Sequence, residues 1–191
     1  MAGTHNGYPD LSASIDASSM RNIPWENDIP FFLVDFENDS SVDVCPRKVL
    51  KNICKQAADE INAKALCGPE LEFFNFAETV DSWNEKLCSN PKPFTPGMFG
   101  YSLVRTGQKK KEYHSIFDDC LKFGIELEGL HTETGPGVME AAIRFGDAVR
   151  AADNATLFKY ALRMIGQENN FMPCFMAKVV IHEIELFSYL F

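Results

Sequence analysis

Hydrophobic residues recur along the chain with two periods, and the places where one gives way to the other mark the elements. Residues 1 to 20 hold mostly Gly, Ser, Asp, Asn and Pro, interrupted at Leu11, Ile15 and Met20, and read as loop. The run from Ile29 to Phe36 is apolar and β-prone, with Pro30 near its start, where a strand tolerates a missing N–H. Asn38 to Ser41 then turns the chain. From Pro46 the spacing lengthens to four: Val49, Ile53, Ala57 and Ile61 form one stripe, which predicts a helix. Proline suits its first position because that N–H has no partner inside a helix. Gly68-Pro69 closes the segment.

Period two returns at Glu70 to Phe76, placing Glu70 and Glu72 on one face of a strand and Leu71 and Phe73 on the other. Thr79 to Gly107 keeps neither period and reads as irregular, with Trp83, Phe94, Met98 and Phe99 as apolar anchors. Lys109 to Lys111 reads as a solvated turn. A helix around Tyr113, Phe117, Cys120 and Leu121 ends near Gly124. A strand from Gly129 to Glu133, a Gly135-Pro136-Gly137 turn and a strand from Val138 to Phe145 follow. Ala148, Ala152, Ala155, Phe158, Leu162 and Ile165 predict the longest helix, and Phe171 to Ala177 the last strand.

Composition narrows the classes. With 46% apolar and 24% charged residues, the chain has the makings of a folded core. A net charge of −9 excludes a phosphate-backbone binder, so no nucleic-acid partner is expected. The six cysteines show no CxxC spacing and are too sparse for a disulfide scaffold. No apolar stretch nears the roughly 20 residues that span a bilayer, and the first twenty residues lack a signal-peptide pattern. No membrane partner and a cytoplasmic location are the resulting expectations.

The chemistry lies in four carboxylates. Glu70 and Glu72 project from one strand face roughly 7 Å apart, and a hairpin through Gly135-Pro136-Gly137 brings Glu133 opposite Glu140. If the two pairs meet across a sheet, they form a hard oxygen set of the kind that suits Mg²⁺ or Mn²⁺. A solvated acidic face and a glycosidase-like acid and base pair are the competing readings of the same spacing. His131 reads as a surface or satisfied core residue, and His114 and His182 lack partners at ligand spacing. No phosphate loop, dinucleotide fingerprint or GxSxG elbow is present.

Four segments carry a family likeness. Gly68-Pro69-Glu70-Leu71-Glu72-Phe73-Phe74 resembles the GPExEFF strand of glutamine synthetases, and Glu133-Thr134-Gly135-Pro136-Gly137-Val138-Met139-Glu140 resembles their E-x-x-P-G-x-x-E hairpin. Ala152-Asp153-Asn154 with Phe158-Lys159-Tyr160 is similar to the next helix, and Phe171-Met172-Pro173 through Lys178 to the following strand. Order and spacing agree from about Gly7 to Lys178, closest to the bacterial-type and glutamine-synthetase-like branch.

The resemblance implies an α+β fold: an incomplete glutamine-synthetase-type catalytic domain, a curved antiparallel sheet of five or six strands backed by three main helices. It divides the chain into an irregular segment 1–23, a partial catalytic domain 24–178 and a divergent hydrophobic tail 179–191. It implies that Glu72, Glu133 and Glu140 hold one Mg²⁺ or Mn²⁺, and that Glu70 belongs to a second metal against the phosphates of ATP. The implied reaction joins ammonia, or an amine, to the side-chain carboxylate of glutamate through a γ-glutamyl phosphate. The family's His-x-His-x-Ser motif, later arginines and preceding β-grasp domain are not matched. This chain alone is therefore expected to be inactive, and a non-catalytic fragment that associates with full-length relatives, or with copies of itself, is the alternative.

Overall fold

The computed structural model describes Gly7, Asp10, residues 12–37 and residues 45–179. Its first element is a strand, β1 (Ala13–Ile23), which a 3₁₀ turn at Pro24–Glu26 joins to β2 (Ile29–Phe36). The two pair antiparallel, with Ile15 opposite Val34 and Asp16 opposite Leu33. This corrects the loop reading over Ala13 to Met20; the positions before Ala13 lie mostly outside the described residues. The composition misled because the polar residues are satisfied inside the hairpin. The Ser19 hydroxyl is buried in a register shift, accepts from the Leu33 N–H at 2.8 Å and donates to the Asp16 carbonyl at 2.6 Å.

α1 (Pro46–Ile61) starts at the proline its sequence predicts but stops short of Gly68-Pro69, closing on Asn62 in the left-handed region. Its stripe is not what anchors it. Ile53 is 57% exposed and Ile61 73%, and no residue of the helix is fully buried. The opposite side instead carries Arg47 and Lys51 into a set of three aspartates. Arg47 binds Asp16 at 2.7 Å, Asp35 at 3.1 Å and Asp153 at 2.8 Å, and Lys51 binds Asp16 and Asp35 at 2.7 and 2.6 Å. One guanidinium thus ties the hairpin to the longest helix.

Two further strands, β3 (Leu66–Cys67) and β4 (Glu70–Phe76), follow. The stretch expected to be irregular contains two short helices, α2 (Val80–Glu85) and α3 (Leu103–Gln108). Each starts on a hydroxyl cap, Thr79 with Ser82 in the first and Ser102 in the second, a local signal stronger than the missing period. α4 (Lys110–Lys122) absorbs two of the three lysines read as a turn, and Lys109, at its N-cap, sets its ammonium 4.0 Å from the Phe94 ring. β5 (Leu127–Thr132), β6 (Val138–Ile143), β7 (Gly146–Asp147), α5 (Ala148–Glu168) and β8 (Met172–Cys174) complete the described elements. The last two predicted strands are shorter than expected, and β8 holds Pro173, which has no N–H to donate. Beyond Val179, the hydrophobic tail lies outside the described residues.

Among the described residues, the eight strands and five α-helices exceed the expected count because β1, β3, β7, α2 and α3 lie where no period announces them. The main sheet is antiparallel in the order β5-β6-β4-β8, and α4 and α5 pack on one of its faces. Phe73, Met139, Ala141 and Ile143 project into the core with Ile116, Cys120, Phe158, Leu162 and Ile165. Burying such side chains, at roughly 1.5 to 3 kcal/mol each, sets which face of every strand turns inward. The other face of β4 and β6 is left to Glu70, Glu72 and Glu140.

Glu78, just past β4, is buried as an anion. Burial opposes its ionisation, but Lys86, the Ser82 hydroxyl at 2.6 Å and the Lys92 N–H at 2.7 Å outweigh that and bring its pKa from the ordinary 4.5 to about 2.

Two outcomes follow for stability. Arg47→Met leaves Asp16 and Asp35 with Lys51 alone and takes the ion-pair partner from the buried Asp153, and costs about 3 kcal/mol in urea unfolding at neutral pH. The stabilisation from Glu78 is complete above pH 4.5 and disappears as pH falls toward 2, because the unfolded carboxyl takes up its proton first. Glu78→Gln accordingly loses about 2 kcal/mol at pH 7, and its urea midpoint converges on that of the unmutated chain as pH falls through that window.

Candidate metal centre

Three strands build the site, and their pairing aligns it. Glu72 on β4 lies directly opposite Glu140 on β6, and His131 on β5 lies opposite Glu140 from the other side. Glu70, two residues earlier along β4, faces Ala142. Glu133 follows β5 by one residue and is carried into the group by the turn, where its N–H donates to the Val138 carbonyl at 3.0 Å.

The turn has little freedom. Gly137 sits at φ 72°, and a Cβ there would lie 2.4 Å from the Asn75 carbonyl oxygen and 3.0 Å from the Phe94 nitrogen, so a side chain is excluded. Gly135 takes φ 136°. Both N–H donors of Asn75, the backbone at 2.9 Å and Nδ2 at 3.1 Å, converge on the Gly137 carbonyl.

His131, Glu133 and Glu140 offer ligand atoms that all lie within 4.8 Å of one another. His131 Nε2 is 3.8 Å from Glu140 Oε2. The His131 Nδ1 lies 3.2 Å from the Thr132 carbonyl; with the proton on Nδ1 donated there, the Nε2 lone pair faces the carboxylates. Glu133 is buried and Glu140 half-buried, whereas Glu70 and Glu72 are exposed on the same sheet face, outside the tight group.

The two central carboxyls are pushed in opposite directions. The Tyr101 hydroxyl donates to Glu133 and, with the Thr134 N–H at 2.6 Å, holds it below the usual glutamate range despite burial. Glu140 is raised, first by burial and then by the charges of Glu70, Glu133 and Glu72. The same contact with Glu133 raises Tyr101. A carboxylate held ionised beside one that resists ionisation is what a cation would reconcile. Four acids and an imidazole form a donor set that fits Mg²⁺ or Mn²⁺.

Sequence reasoning passed over two members of the group. His131 stands two residues before Glu133, on the same face of the same strand, and that period of two was the available signal. Tyr101 had none. It comes from the aperiodic stretch, at φ 55°, and is held by its N–H to the Thr132 carbonyl at 2.8 Å and by a ring stacked 4.9 Å from that of His131.

Known proteins agree with this architecture. The chain is 46% identical over 178 residues to type-1 glutamine synthetase 2 of Dictyostelium discoideum, a match covering 92% of this chain and 34% of that one. It is 26% identical to a glutamate–isopropylamine ligase of a Pseudomonas species, covering 92% of this chain and 39% of the ligase. Among solved structures, GmaS in complex with ADP superimposes with a TM-score of 0.74 at 21% identity, over 91% of this chain and 39% of that one. The chain thus spans little more than a third of the length of these relatives. Residues 43–184 match the family described as glutamine synthetase, catalytic domain, and the chain belongs to that family.

Proposed function

We propose that this chain carries the carboxylate half of a site for ATP-dependent ligation, in which ammonia or an amine is joined to the side-chain carboxylate of glutamate through a γ-glutamyl phosphate. The observation that carries the reading is the convergence of His131, Glu133 and Glu140, with Glu72 opposite Glu140 in register on the sheet face that the helices leave open. In this reading Glu72, Glu133 and Glu140 hold one Mg²⁺ or Mn²⁺, with His131 beside it, and Glu70 serves a second ion toward the phosphates of ATP. Such ions supply positive charge to phosphoryl oxygens as they are transferred. The protein's own part is to keep the acids ionised and spaced. Tyr101 helps keep Glu133 ionised, and the pairing of β4 with β6 sets the spacing of Glu72 and Glu140.

Ammonia and larger amines both remain within the proposal, since the relatives include a glutamine synthetase and an isopropylamine ligase by name. The five side chains offer acceptors and no cation for a triphosphate, so the chain by itself is proposed to bind metal without turning over. Association with copies of itself or with longer family members would supply the rest. The outer face of the β1–β2 hairpin, with Ile15 at 67% and Phe36 at 50% exposure, favours such contacts.

The test is Mn²⁺ titration followed by electron paramagnetic resonance. Binding is expected, and Glu133→Gln and Glu140→Gln should each weaken it at least about tenfold; a chain that takes up no Mn²⁺ overturns the reading. Phosphate release from ATP is expected to stay at background when glutamate and ammonia are both added. Release that requires both would show a complete site and remove the proposed dependence on further chains.

A further inference from the structure

Asn75 is an anomaly in the core face of β4. Leu71 and Phe73, its neighbours on that face, pack in the hydrophobic core, whereas Asn75 is 0% exposed and carries an amide whose Oδ1 has no hydrogen-bond partner among the described residues. An orphaned buried oxygen is unfavourable, and an aliphatic side chain of the same size would avoid it. What the amide does contribute is directed at one atom. Nδ2 donates to the Gly137 carbonyl at 3.1 Å, beside the backbone N–H of the same residue at 2.9 Å. Gly137 lies in the turn that separates Glu133 from Glu140, and Asn75 lies three residues past Glu72 on the strand that carries it.

We propose that Asn75 is a positioning residue for the metal centre. Its doubled grip on the Gly137 carbonyl fixes the turn, and with it Glu133 and Glu140, relative to Glu72. The inference rests on the proposed metal reading of the four glutamates. The backbone bond alone belongs to the continuing strand pairing and is available to any residue. The side-chain bond is specific to the amide, stops the peptide at Gly137 from rocking and holds the hairpin tip against β4. Supports of this kind, one step removed from the ligands, commonly change metal affinity by roughly 10-fold to 100-fold when removed.

The discriminating variant is Asn75→Leu, which keeps the volume, removes the bond and also removes the orphaned oxygen. Its thermal midpoint is expected to equal or exceed that of the unmutated chain, while its Mn²⁺ dissociation constant rises about tenfold and the bound-Mn²⁺ resonance changes its zero-field splitting. A residue with a purely structural role would move the midpoint and leave affinity and line shape alone at temperatures well below it. Asn75→Ser, too short to reach Gly137 but polar, serves if the leucine variant does not fold, and should show the same loss. Unchanged Mn²⁺ affinity in a folded variant overturns the positioning role and leaves the metal reading intact. No Mn²⁺ uptake by the unmutated chain overturns both.

Discussion

The register of β6 between β5 and β4 is the constraint on which the rest depends. Side chains on a strand alternate, so a slip of one residue exchanges the two faces. Here the slip would drive Glu140 into the core and bring Met139 and Ala141 to water. Met139 and Ala141 are 2% and 0% exposed, packed against residues of α4 and α5, and their burial holds the register. The acidic face is therefore placed by the apolar one. Glu72, Glu140 and His131 meet in a row because Phe73, Met139 and Leu130 must meet a helix layer on the other side.

The first third of the chain is organised differently. Its hairpin sets Ile23, Trp25, Phe31 and Leu33 against the core, but its α1 buries little and is fastened by charge: Arg47 and Lys51 neutralise Asp16, Asp35 and Asp153, each from a different element. An ion network of this kind gives direction more than stability, since desolvation offsets much of the attraction. It fixes how the hairpin sits on α5, and the Arg21 guanidinium reinforces the contact by donating to Asn154 at 2.9 Å.

Legibility in the sequence followed the same division. β4, β6 and α5 were readable because burial imposes a period, and Glu70, Glu72 and Glu140 were placed on the right strands by that period and by family resemblance, while Glu133 lies one residue past its strand. β1 was unreadable because its inward positions are Ser19 and Arg21, polar residues whose partners lie far along the chain. Tyr101 was unreadable for a related reason: its position is set by one backbone hydrogen bond from an aperiodic loop, a contact without a compositional trace. His131 was readable and was discounted, because a lone histidine carries weight only once its neighbours across the sheet are known.

The acidic face also has a meaning for folding itself. Without a counter-ion, Glu70, Glu72, Glu133 and Glu140 repel one another, a contribution that adds to burial in raising Glu140. Such repulsion acts on the folded chain and is relaxed in the unfolded one, where the strands separate. A cation taken up by the folded face would therefore stabilise the fold by an amount that rises with the logarithm of its concentration above the dissociation constant. Through such uptake the ionic composition of the surroundings would contribute to the stability of the fold, before any chemistry begins.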